Sequence, residues 1–426
     1  MKPEETVKNY QSERRMYSNY VLRNVKKICK DVGPRGAGTE SELKAQQWMA
    51  DELKTTCDEV TVEEFPVHPA AFMGWIRLAV FCVTIAAGLF FATHFFPAFA
   101  VPFSIAAVAL VAVSLFFVVT EFLFYKQTLD VFTPKRISHN VVAVRKASGE
   151  TKRRIILSGH CDSAPEWRFT YWGGPKLLVP VVALSLIGLL FTAAANVISL
   201  VFTFRGVQVA DSKLLWILAI INICFVPVFL FCSLFYNPKR IVEGANDDLT
   251  GTLTAMAAPR FMQDHDIRFE NTEVMVVCSG SEEAGLRGAK AFIKAHGDDL
   301  KSQKDVETVF VGFDTIRDFD FMTIYNKDMT GLVHNSEEVS KLIHEAGKLE
   351  GHDIPLKTIA LGSTDAAAIT QGGLKASSFV AMDPAPARYY HTRLDTHDNL
   401  DLKAIEAGVG ICLQTVFLFD EKGLDV

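Results

Sequence analysis

Hydrophobic residues in this chain of 426 residues are concentrated in three long stretches. Residues 78–120, 177–204 and 214–237 contain no Asp, Glu, Lys or Arg. A helix needs about 20 mostly apolar residues to cross the hydrocarbon layer of a membrane. The first stretch can hold two such helices, divided near Pro97 and Pro102, and each of the others can hold one. We expect four membrane spans, because buried core helices seldom run so long without a charge.

Outside these stretches, short strand-like runs alternate with longer helical patterns. Strands are predicted over residues 59–65, 139–144, 154–157, 272–278, 308–313 and 377–381. Helices are predicted over residues 40–53, 249–262, 286–295, 337–349 and 402–419. Because alternating strands and helices favour parallel pairing, we predict an α/β fold whose mostly parallel sheet is covered by helices on both faces.

The apolar stretches interrupt this α/β sequence twice. Each interruption is an out-and-back pair of helices, so the chain would return to the side of the membrane that it left. One domain is therefore predicted from residues 1–72, 127–176 and 238–426. The two transmembrane hairpins would occupy residues 73–126 and 177–237.

Positive charges near the predicted spans indicate their orientation. The turn at Pro97 has no Lys or Arg, and the loop between the third and fourth spans has Arg205 and Lys213. The other side has more, namely Lys126, Lys135, Arg136, Lys176, Lys239 and Arg240. Since Lys and Arg are enriched in cytoplasmic loops, we expect a multi-pass membrane protein with a cytoplasmic α/β domain. The polar first 70 residues also lack the apolar segment of a secretory signal.

Composition excludes one class of partner and indicates a compartment. The net charge is −6 and no basic stripe is present, which argues against nucleic-acid binding. Eight cysteines show no disulfide spacing, which favours a reducing compartment. No feature of the sequence specifies an oligomeric state.

Potential metal ligands follow the predicted strands or lie in two further loops. They are His160, Asp162, Asp247, Asp248, Glu282, Glu283, Asp314 and His391. Taken singly, each has a simpler explanation: Asp247 or Asp248 could cap a helix, and His160 could be an ordinary hydrogen-bonded group. Open α/β sheets, however, bind ligands at the carboxyl ends of their strands, where these groups would converge.

Convergence of these acidic groups would be costly without a cation. Buried carboxylates that lie close together repel one another and raise their own pKa values. Divalent cations remove that cost. Two histidines and three carboxylates form a nitrogen and oxygen ligand set that suits zinc.

The order of the motifs resembles that of a known family. H-x-D, GA-x-D-D, EE-x-G, a strand-end Asp and YHT-x-x-DT occur in the order found in the co-catalytic two-zinc aminopeptidases. Glutamate carboxypeptidase-like and glutaminyl-cyclase-like proteins belong to the same family. GPRGAGTESELKAQQWMADEL, residues 33–53, resembles the family's opening segment, so the likeness covers nearly all of the soluble sequence. The apolar insertions are a departure from its typical secreted members.

The resemblance implies a site with two zinc ions. It assigns His160 and Asp314 to one ion. Glu283 and His391 would hold the other, and Asp247 would bridge the pair.

The resemblance also implies roles for residues beside the metal ligands. Glu282 would be the general base, which takes a proton from water and passes it to the leaving amine. Asp162 would accept a hydrogen bond from the second ring nitrogen of His160. Tyr390 would donate a hydrogen bond to the oxyanion, the alternative being a buried structural tyrosine. Asp395 would support the loop that carries the zinc-binding histidine near the C-terminus.

The predicted function is that of a membrane-integral zinc metallopeptidase, and an aminopeptidase is favoured. Another amide hydrolase on the same scaffold, such as a carboxypeptidase or an N-acyl amide hydrolase, is the alternative. A non-catalytic receptor or scaffold would be marked by lost ligands, and all five are present. A glutaminyl cyclase is disfavoured because the complete ligand set suits two metals.

The expected substrate is a peptide or hydrophobic amide at the surface of the lipid bilayer. Asp247 lies ten residues after Asn237, a length that an extended chain covers in at most about 35 Å. The metal-binding edge of the sheet is therefore expected to face the bilayer. Aromatic residues that favour the membrane interface precede the third span, namely Trp167, Phe169, Tyr171 and Trp172. The alternative is that the spans are only an anchor, for which one terminal helix would suffice.

Overall fold

The structure is a computed structural model that describes residues 3–426, with the side chains of residues 12, 13 and 15–426. The chain forms two compact units. The first contains the described residues up to Pro69, together with Pro134–Glu166 and Lys239–Val426. The second contains Ala70–Thr133 and Trp167–Pro238. Each unit is thus assembled from separate pieces of the sequence.

Strands and helices alternate through much of the first unit, whereas the second is mainly helical. The strands within residues 3–426 are β1 Glu59–Val67, β2 Arg136–Arg145, β3 Arg153–His160, β4 Pro165–Trp167, β5 Tyr236–Ile241, β6 Thr272–Ser279, β7 Glu307–Ile316, β8 Met322–Asp328, β9 Val333–His334, β10 Leu356–Thr358 and β11 Lys375–Ala381. The helices over the same range are α1 Pro3–Asp31, α2 Glu40–Leu53, α3 Gly74–Ala92, α4 Ala100–Phe117, α5 Arg168–Gly173, α6 Pro175–Phe204, α7 Lys213–Cys232, α8 Gly251–Asp264, α9 Arg287–Ser302, α10 Glu337–Leu349, α11 Asp365–Gln371 and α12 Leu402–Lys422.

The main sheet of the first unit is mixed, which corrects the prediction of a mostly parallel one. Its order is β1-β2-β6-β3-β7-β11-β8-β10, with β9 beside β8, while β4 and β5 form a separate pair. The central strands β6, β3, β7 and β11 are parallel, but β2 runs antiparallel to β6 and β8 antiparallel to β11. A parallel connection needs about a dozen residues or more, and the loops at 146–152 and 317–321 are shorter. Each therefore reverses the chain.

Both faces of the central strands are buried. On β7, Val309, Val311 and Phe313 point into the largest hydrophobic cluster, to which α8, α10 and α12 also contribute. Phe310 points to the other face and is 1% exposed. Strands covered on both faces have nearly continuous hydrophobic sequences, as in the VFVGF segment of β7. The open carboxyl edge of the strands is then left for polar residues.

Five helices in the described range are long and apolar enough to span a membrane. They are Gly74–Ala92, Pro97–Leu123, Pro175–Phe204, Lys213–Cys232 and Leu402–Lys422. The first four coincide with the apolar stretches in the sequence and belong to the second unit. The fifth is α12, whose most apolar segment is 83% buried, against 22–44% for the others. It is therefore a core helix of the first unit.

One predicted interfacial aromatic residue lies inside the second unit instead. Phe169 is fully buried, with its ring centroid 4.7 Å from that of Phe231 and 5.7 Å from that of Phe235. Trp172 is 52% exposed. Because Phe169 has no polar tip, packing against other rings satisfies it fully, and its assignment to a membrane interface is wrong.

Candidate metal centre

The predicted ligands meet at the carboxyl edge of the central strands. His160 is the last residue of β3, and Asp314 lies near the end of β7. Glu283 is in the short turn after β6. Asp247 comes from the loop before α8, and His391 from the loop before α12. Strand direction alone therefore places three of the five donors at one edge, and two loops bring the others to it.

Asp247 lies between the two histidines. Its Oδ1 atom is 3.0 Å from Nε2 of His160, and its Oδ2 atom is 3.0 Å from Nε2 of His391. Oε1 of Glu283 lies 3.2 Å from the same nitrogen of His391. One carboxylate thus contacts both histidines, one with each oxygen, which is the arrangement that a bridging ligand requires.

At this edge of the sheet, two groups of side chains are close enough to hold metal ions. Ligand atoms of His160, Asp247 and Glu283 lie within 4.8 Å of one another, and so do those of His160, Asp248 and Asp314. His160 belongs to both groups, with Glu283 in the first and Asp314 in the second, so the predicted division of the donors between two ions stays a prediction. Asp248 is an addition to the predicted ligand set.

The hydrogen bonds of Asp248 indicate a structural role. Its Oδ2 atom accepts the backbone N–H of His160 at 2.9 Å. Its Oδ1 atom accepts the N–H groups of Gly251 and Thr315, both at 3.0 Å. The buried carboxylate therefore fixes the end of β3, the start of α8 and the end of β7 relative to one another. The bond from the N–H of Gly251 caps the start of α8, so helix capping is part of this role.

Burial makes the centre electrostatically demanding. It raises the pKa of Glu282 well above the usual range, and it raises the pKa of Asp314 to about 7, helped by the charge of Asp247. Burial acts on Asp247 in the same direction, but its close approach to His160 and His391 outweighs this effect and lowers the pKa of that carboxyl. Burial therefore favours the neutral form of these carboxyls, a cost that a bound cation would remove.

The donor set fits zinc. Oδ2 of Asp247 and Oε1 of Glu283 are buried and accept no hydrogen bond from any described residue, although Nε2 of His391 is near both. Their lone pairs are thus available to a cation. A mixture of imidazole and carboxylate donors is typical of catalytic zinc sites.

Asp162 supports more of the centre than the sequence indicated. Its Oδ1 atom lies 3.4 Å from Nδ1 of His160, in the predicted position for orienting that ring. Its two oxygens also accept the backbone N–H groups of Glu282, at 2.9 Å, and Glu283, at 3.1 Å. One buried carboxylate therefore positions the histidine and the turn that carries both glutamates.

Glu42 on α2 holds the same turn from the other side. Its Oε1 atom accepts both the N–H, at 2.7 Å, and the hydroxyl, at 2.9 Å, of Ser281. Its Oε2 atom accepts the N–H of Gly38 and the hydroxyl of Ser138. Burial raises the pKa of Glu42 to about 8, and the charge of Asp162 adds to this. This role was not predictable, because a Glu in the first turn of a helix is commonly exposed.

Arg35 connects two ligand loops without contacting a ligand. Its side chain is fully buried and donates to the backbone carbonyls of Cys161, at 2.7 Å, Glu243, at 2.9 Å, and Gly244, at 2.7 Å. Its main chain exchanges two hydrogen bonds with Ser163. The loop after His160 and the loop before Asp247 are therefore fastened to one guanidinium group.

Asp395 joins the loop that carries His391 to the loop that carries Asp247. Its Oδ1 atom accepts the N–H and the side-chain amide of Asn246, at 2.8 and 2.7 Å, and its Oδ2 atom accepts the N–H of Asp247 at 3.1 Å. It therefore holds the Asp247 loop in addition to belonging to the loop of His391. The ring of Tyr390 stacks on that of His391, with centroids 4.0 Å apart.

We predict that Arg35→Met weakens metal binding without removing a ligand. Loss of the five donors leaves the carbonyls of Cys161, Glu243 and Gly244 unsatisfied and loosens both loops. Supporting residues of metal sites contribute roughly 10–100-fold to affinity, and a loss of that size is expected. Competition with a chromogenic zinc chelator measures it. Arg23→Met, which removes an exposed arginine of α1, is the control, and equal affinity in the two variants would contradict the role given to Arg35.

Comparisons with known proteins agree with this centre. Residues 231–416 match the model of peptidase family M28. No curated protein sequence matches the chain.

Solved structures share the fold at low sequence identity. BSAP, a zinc aminopeptidase from Bacillus subtilis, is 13% identical with a TM-score of 0.55, and the alignment covers 95% of both chains. An aminopeptidase from Aneurinibacillus sp. strain AM-1 has a TM-score of 0.54 at 13% identity and covers 95% of both chains. The glutaminyl cyclase of Fimbriiglobus ruber has a TM-score of 0.54 at 12% identity, over 94% of this chain and 95% of that one. The predicted resemblance to the co-catalytic zinc peptidase family is thereby confirmed.

Proposed function

We propose that the chain is a membrane-integral zinc aminopeptidase with two metal ions. The observation that carries the proposal is the carboxylate of Asp247, each of whose oxygens lies 3.0 Å from a different histidine. The family match supports zinc peptidase chemistry, and the full set of five donors supports a pair of ions rather than one.

In this proposal the donors divide as the family resemblance implies. His160 and Asp314 hold one ion, Glu283 and His391 hold the other, and Asp247 is shared. When bound, the ions polarise the scissile carbonyl and lower the pKa of the attacking water.

Glu282 is the proposed general base. Its Oε2 atom lies 4.0 Å from Nε2 of His160, so the carboxyl is beside the donors without being held by a hydrogen bond to them. Burial raises the pKa of Glu282, which makes the carboxylate a better proton acceptor. The hydrogen bond from its N–H to Asp162 fixes its backbone. The proton that Glu282 accepts from water is passed to the leaving amine.

Tyr390 is the proposed donor to the oxyanion. Stacking on His391 keeps its ring beside a metal ligand. The phenol carries a proton at neutral pH, because burial and the charge of Asp247 raise its pKa well above the usual range. A neutral hydroxyl in such a position can donate a hydrogen bond to the oxygen on which negative charge develops.

Membrane integration is proposed from the surface of the second unit. Its apolar helices expose many large side chains by more than half, including Phe81, Ile187, Leu190, Ile220 and Leu230. Contiguous apolar surface of this kind is costly in water, at about 25 cal/mol for each Å². A bilayer would cover it. The excess of Lys and Arg outside the loop at 205–213 supports a cytoplasmic first unit.

A membrane-associated substrate follows from this placement. The candidate spans interrupt the peptidase sequence between two metal ligands, and short segments join them to His160 and Asp247. An anchor alone needs only one helix at one terminus. We therefore propose peptides with an apolar tail, or other hydrophobic amides, as the preferred substrates.

The first prediction from the proposed function concerns the general base. Glu282→Gln should lower kcat on aminoacyl peptides by about 10²–10⁴-fold while zinc content stays at the wild-type level, because a proton acceptor is lost and no ligand is removed. Glu283→Gln and His160→Ala should lose bound zinc. Activity and elemental analysis on the same preparations measure both effects, with N-acetylated peptides and a glutaminyl substrate in parallel.

Glu270→Gln removes an exposed carboxylate and serves as the control. Near-normal activity in Glu282→Gln would contradict the assigned mechanism. If N-acetylated peptides are cleaved as fast as peptides with a free amino group, the protein is another amide hydrolase and not an aminopeptidase. Cyclisation of the glutaminyl substrate without any peptide cleavage would indicate a glutaminyl cyclase.

The second prediction concerns topology. In a Cys224→Ser background, Gln208→Cys should react with an impermeant maleimide in intact cells, because its loop would lie outside. Glu421→Cys should react only after permeabilisation. Both positions are exposed. Labelling of Glu421→Cys in intact cells would show that the orientation is the reverse of the proposed one. Release of the chain from membranes by alkaline extraction would contradict integration into the bilayer.

The third prediction concerns the substrate. Matched peptides with and without an acyl chain at the C-terminal amide should differ in kcat/KM in liposomes, in favour of the acylated peptide, because the bilayer concentrates it near the site. Detergent micelles should reduce the difference. Equal turnover of the two peptides in liposomes would show that the helices serve only as an anchor.

A further inference from the structure

A second cluster of potential metal ligands lies in the first unit, outside the centre described above. It consists of Cys29 on α1, Glu243 in the loop before Asp247, and His397 in the loop after His391. One ligand atom of each lies within 4.8 Å of the other two. The three residues come from three separate parts of the chain, so their proximity results from the fold and not from a local sequence motif.

The cluster is organised around the Glu243 carboxylate. Oε1 of Glu243 accepts the backbone N–H of His397 at 2.8 Å and forms a short contact with Nδ1 of the same residue. Cys29 is 7% exposed. The side chains of His397 and Glu243 are 19% and 22% exposed, so an ion can reach the cluster from solvent.

The three donors match the chemistry of a zinc-like ion. Thiolate, imidazole and carboxylate all bind zinc, whereas calcium and magnesium prefer oxygen alone. A thiolate and a carboxylate together carry two negative charges, which one divalent ion neutralises. Burial raises the pKa of the Cys29 thiol, so the thiol keeps its proton until a metal displaces it. Three protein ligands leave the fourth tetrahedral position for water at the exposed side.

We propose that Cys29, Glu243 and His397 form a separate structural binding site for a divalent metal of the zinc class. Glu243 precedes Asp247 by four residues, and His397 follows His391 by six. An ion here fastens α1 to the two loops that bring Asp247 and His391 to the sheet. Its role is to hold these loops, not to contact the substrate.

The carbonyl of Glu243 already accepts a hydrogen bond from Arg35 at 2.9 Å. This hydrogen bond orders part of the loop before an ion arrives, and the ion would add a link between the loop and α1. Such preorganisation favours binding, because little ordering remains to be done when the ion arrives.

The competing explanation is an ion pair between Glu243 and His397 beside a packed thiol. Spectroscopy with Co²⁺ separates the two, because the donors of the other centre contain no sulfur. A thiolate bound to Co²⁺ gives a charge-transfer band in the near ultraviolet, and histidine or carboxylate donors do not. The band therefore reports this cluster alone.

Titration of the full-length, metal-free protein with Co²⁺ is the test. We expect the band of the saturated wild type to have the intensity of one thiolate-bound Co²⁺ ion per chain. Cys29→Ser and His397→Ala should lose it, and zinc analysis of Cys29→Ser should show one equivalent less per chain. Cys161→Ser is the matched control, since it removes the buried cysteine beside His160 and should keep the band.

The outcome does not depend on the proposed peptidase activity. Glu283→Gln, which should empty the other centre, is expected to retain the band. Absence of the band in the saturated wild type, its persistence in Cys29→Ser, or its loss in Cys161→Ser would each overturn the proposal. If Cys29→Ser fails to fold by circular dichroism, His397→Asn provides the same comparison without altering the buried thiol.

Discussion

Repulsion between buried carboxylates is the constraint on which the rest of this structure depends. Asp247, Glu282, Glu283 and Asp314 converge at the open edge of one sheet, in a place where water is largely excluded. Burial favours the neutral form of each carboxyl, and only for Asp247 among these four do the neighbouring histidines outweigh it. The fold keeps them together by surrounding them with groups that favour their charged forms. The negative charge that is not compensated in this way would attract a pair of cations.

Much of the support comes from outside the donor set and acts through the backbone. Arg35, Glu42, Asp248 and Asp395 bind main-chain N–H or carbonyl groups of the loops that carry the donors. Buried polar groups of this kind are costly unless all their partners are in place. The loops are therefore held as a set, and disturbing one support is expected to affect donors on more than one of them.

The strands with continuous apolar runs were predictable, because burial on both faces leaves a strong signal. Five of the six predicted strands are of this kind and lie within β2, β3, β6, β7 and β11, whereas the sixth lies within the more exposed edge strand β1. Three strands at one edge of the main sheet were not predicted, each for a different reason. β8 carries Asn326 and Lys327 near its end, β9 has only two residues, and β10 is exposed throughout. The directions of β2 and β8 also escaped prediction, since loop length and not strand sequence determines them.

The donors were predictable because His, Asp and Glu directly after buried strands are unusual and because their order resembles a family pattern. Their supports were not. A hydrogen bond from Arg35 to a carbonyl depends on where a distant loop passes, and any residue could supply that carbonyl. Asp395 was predicted to support the loop of His391, but its bonds to the loop of Asp247 could not be predicted, for the same reason.

The order of the donors along the chain has a consequence for biosynthesis. His160 emerges between the two apolar helical pairs, Asp247 only after the second pair, and His391 shortly before the last helix. A nascent chain that carries His160 alone offers one weak ligand, so it cannot retain an ion while α6 and α7 are being made. With the proposed ligands, metal loading would follow synthesis of nearly the whole protein, and a chain truncated before His391 would lack one of the five donors.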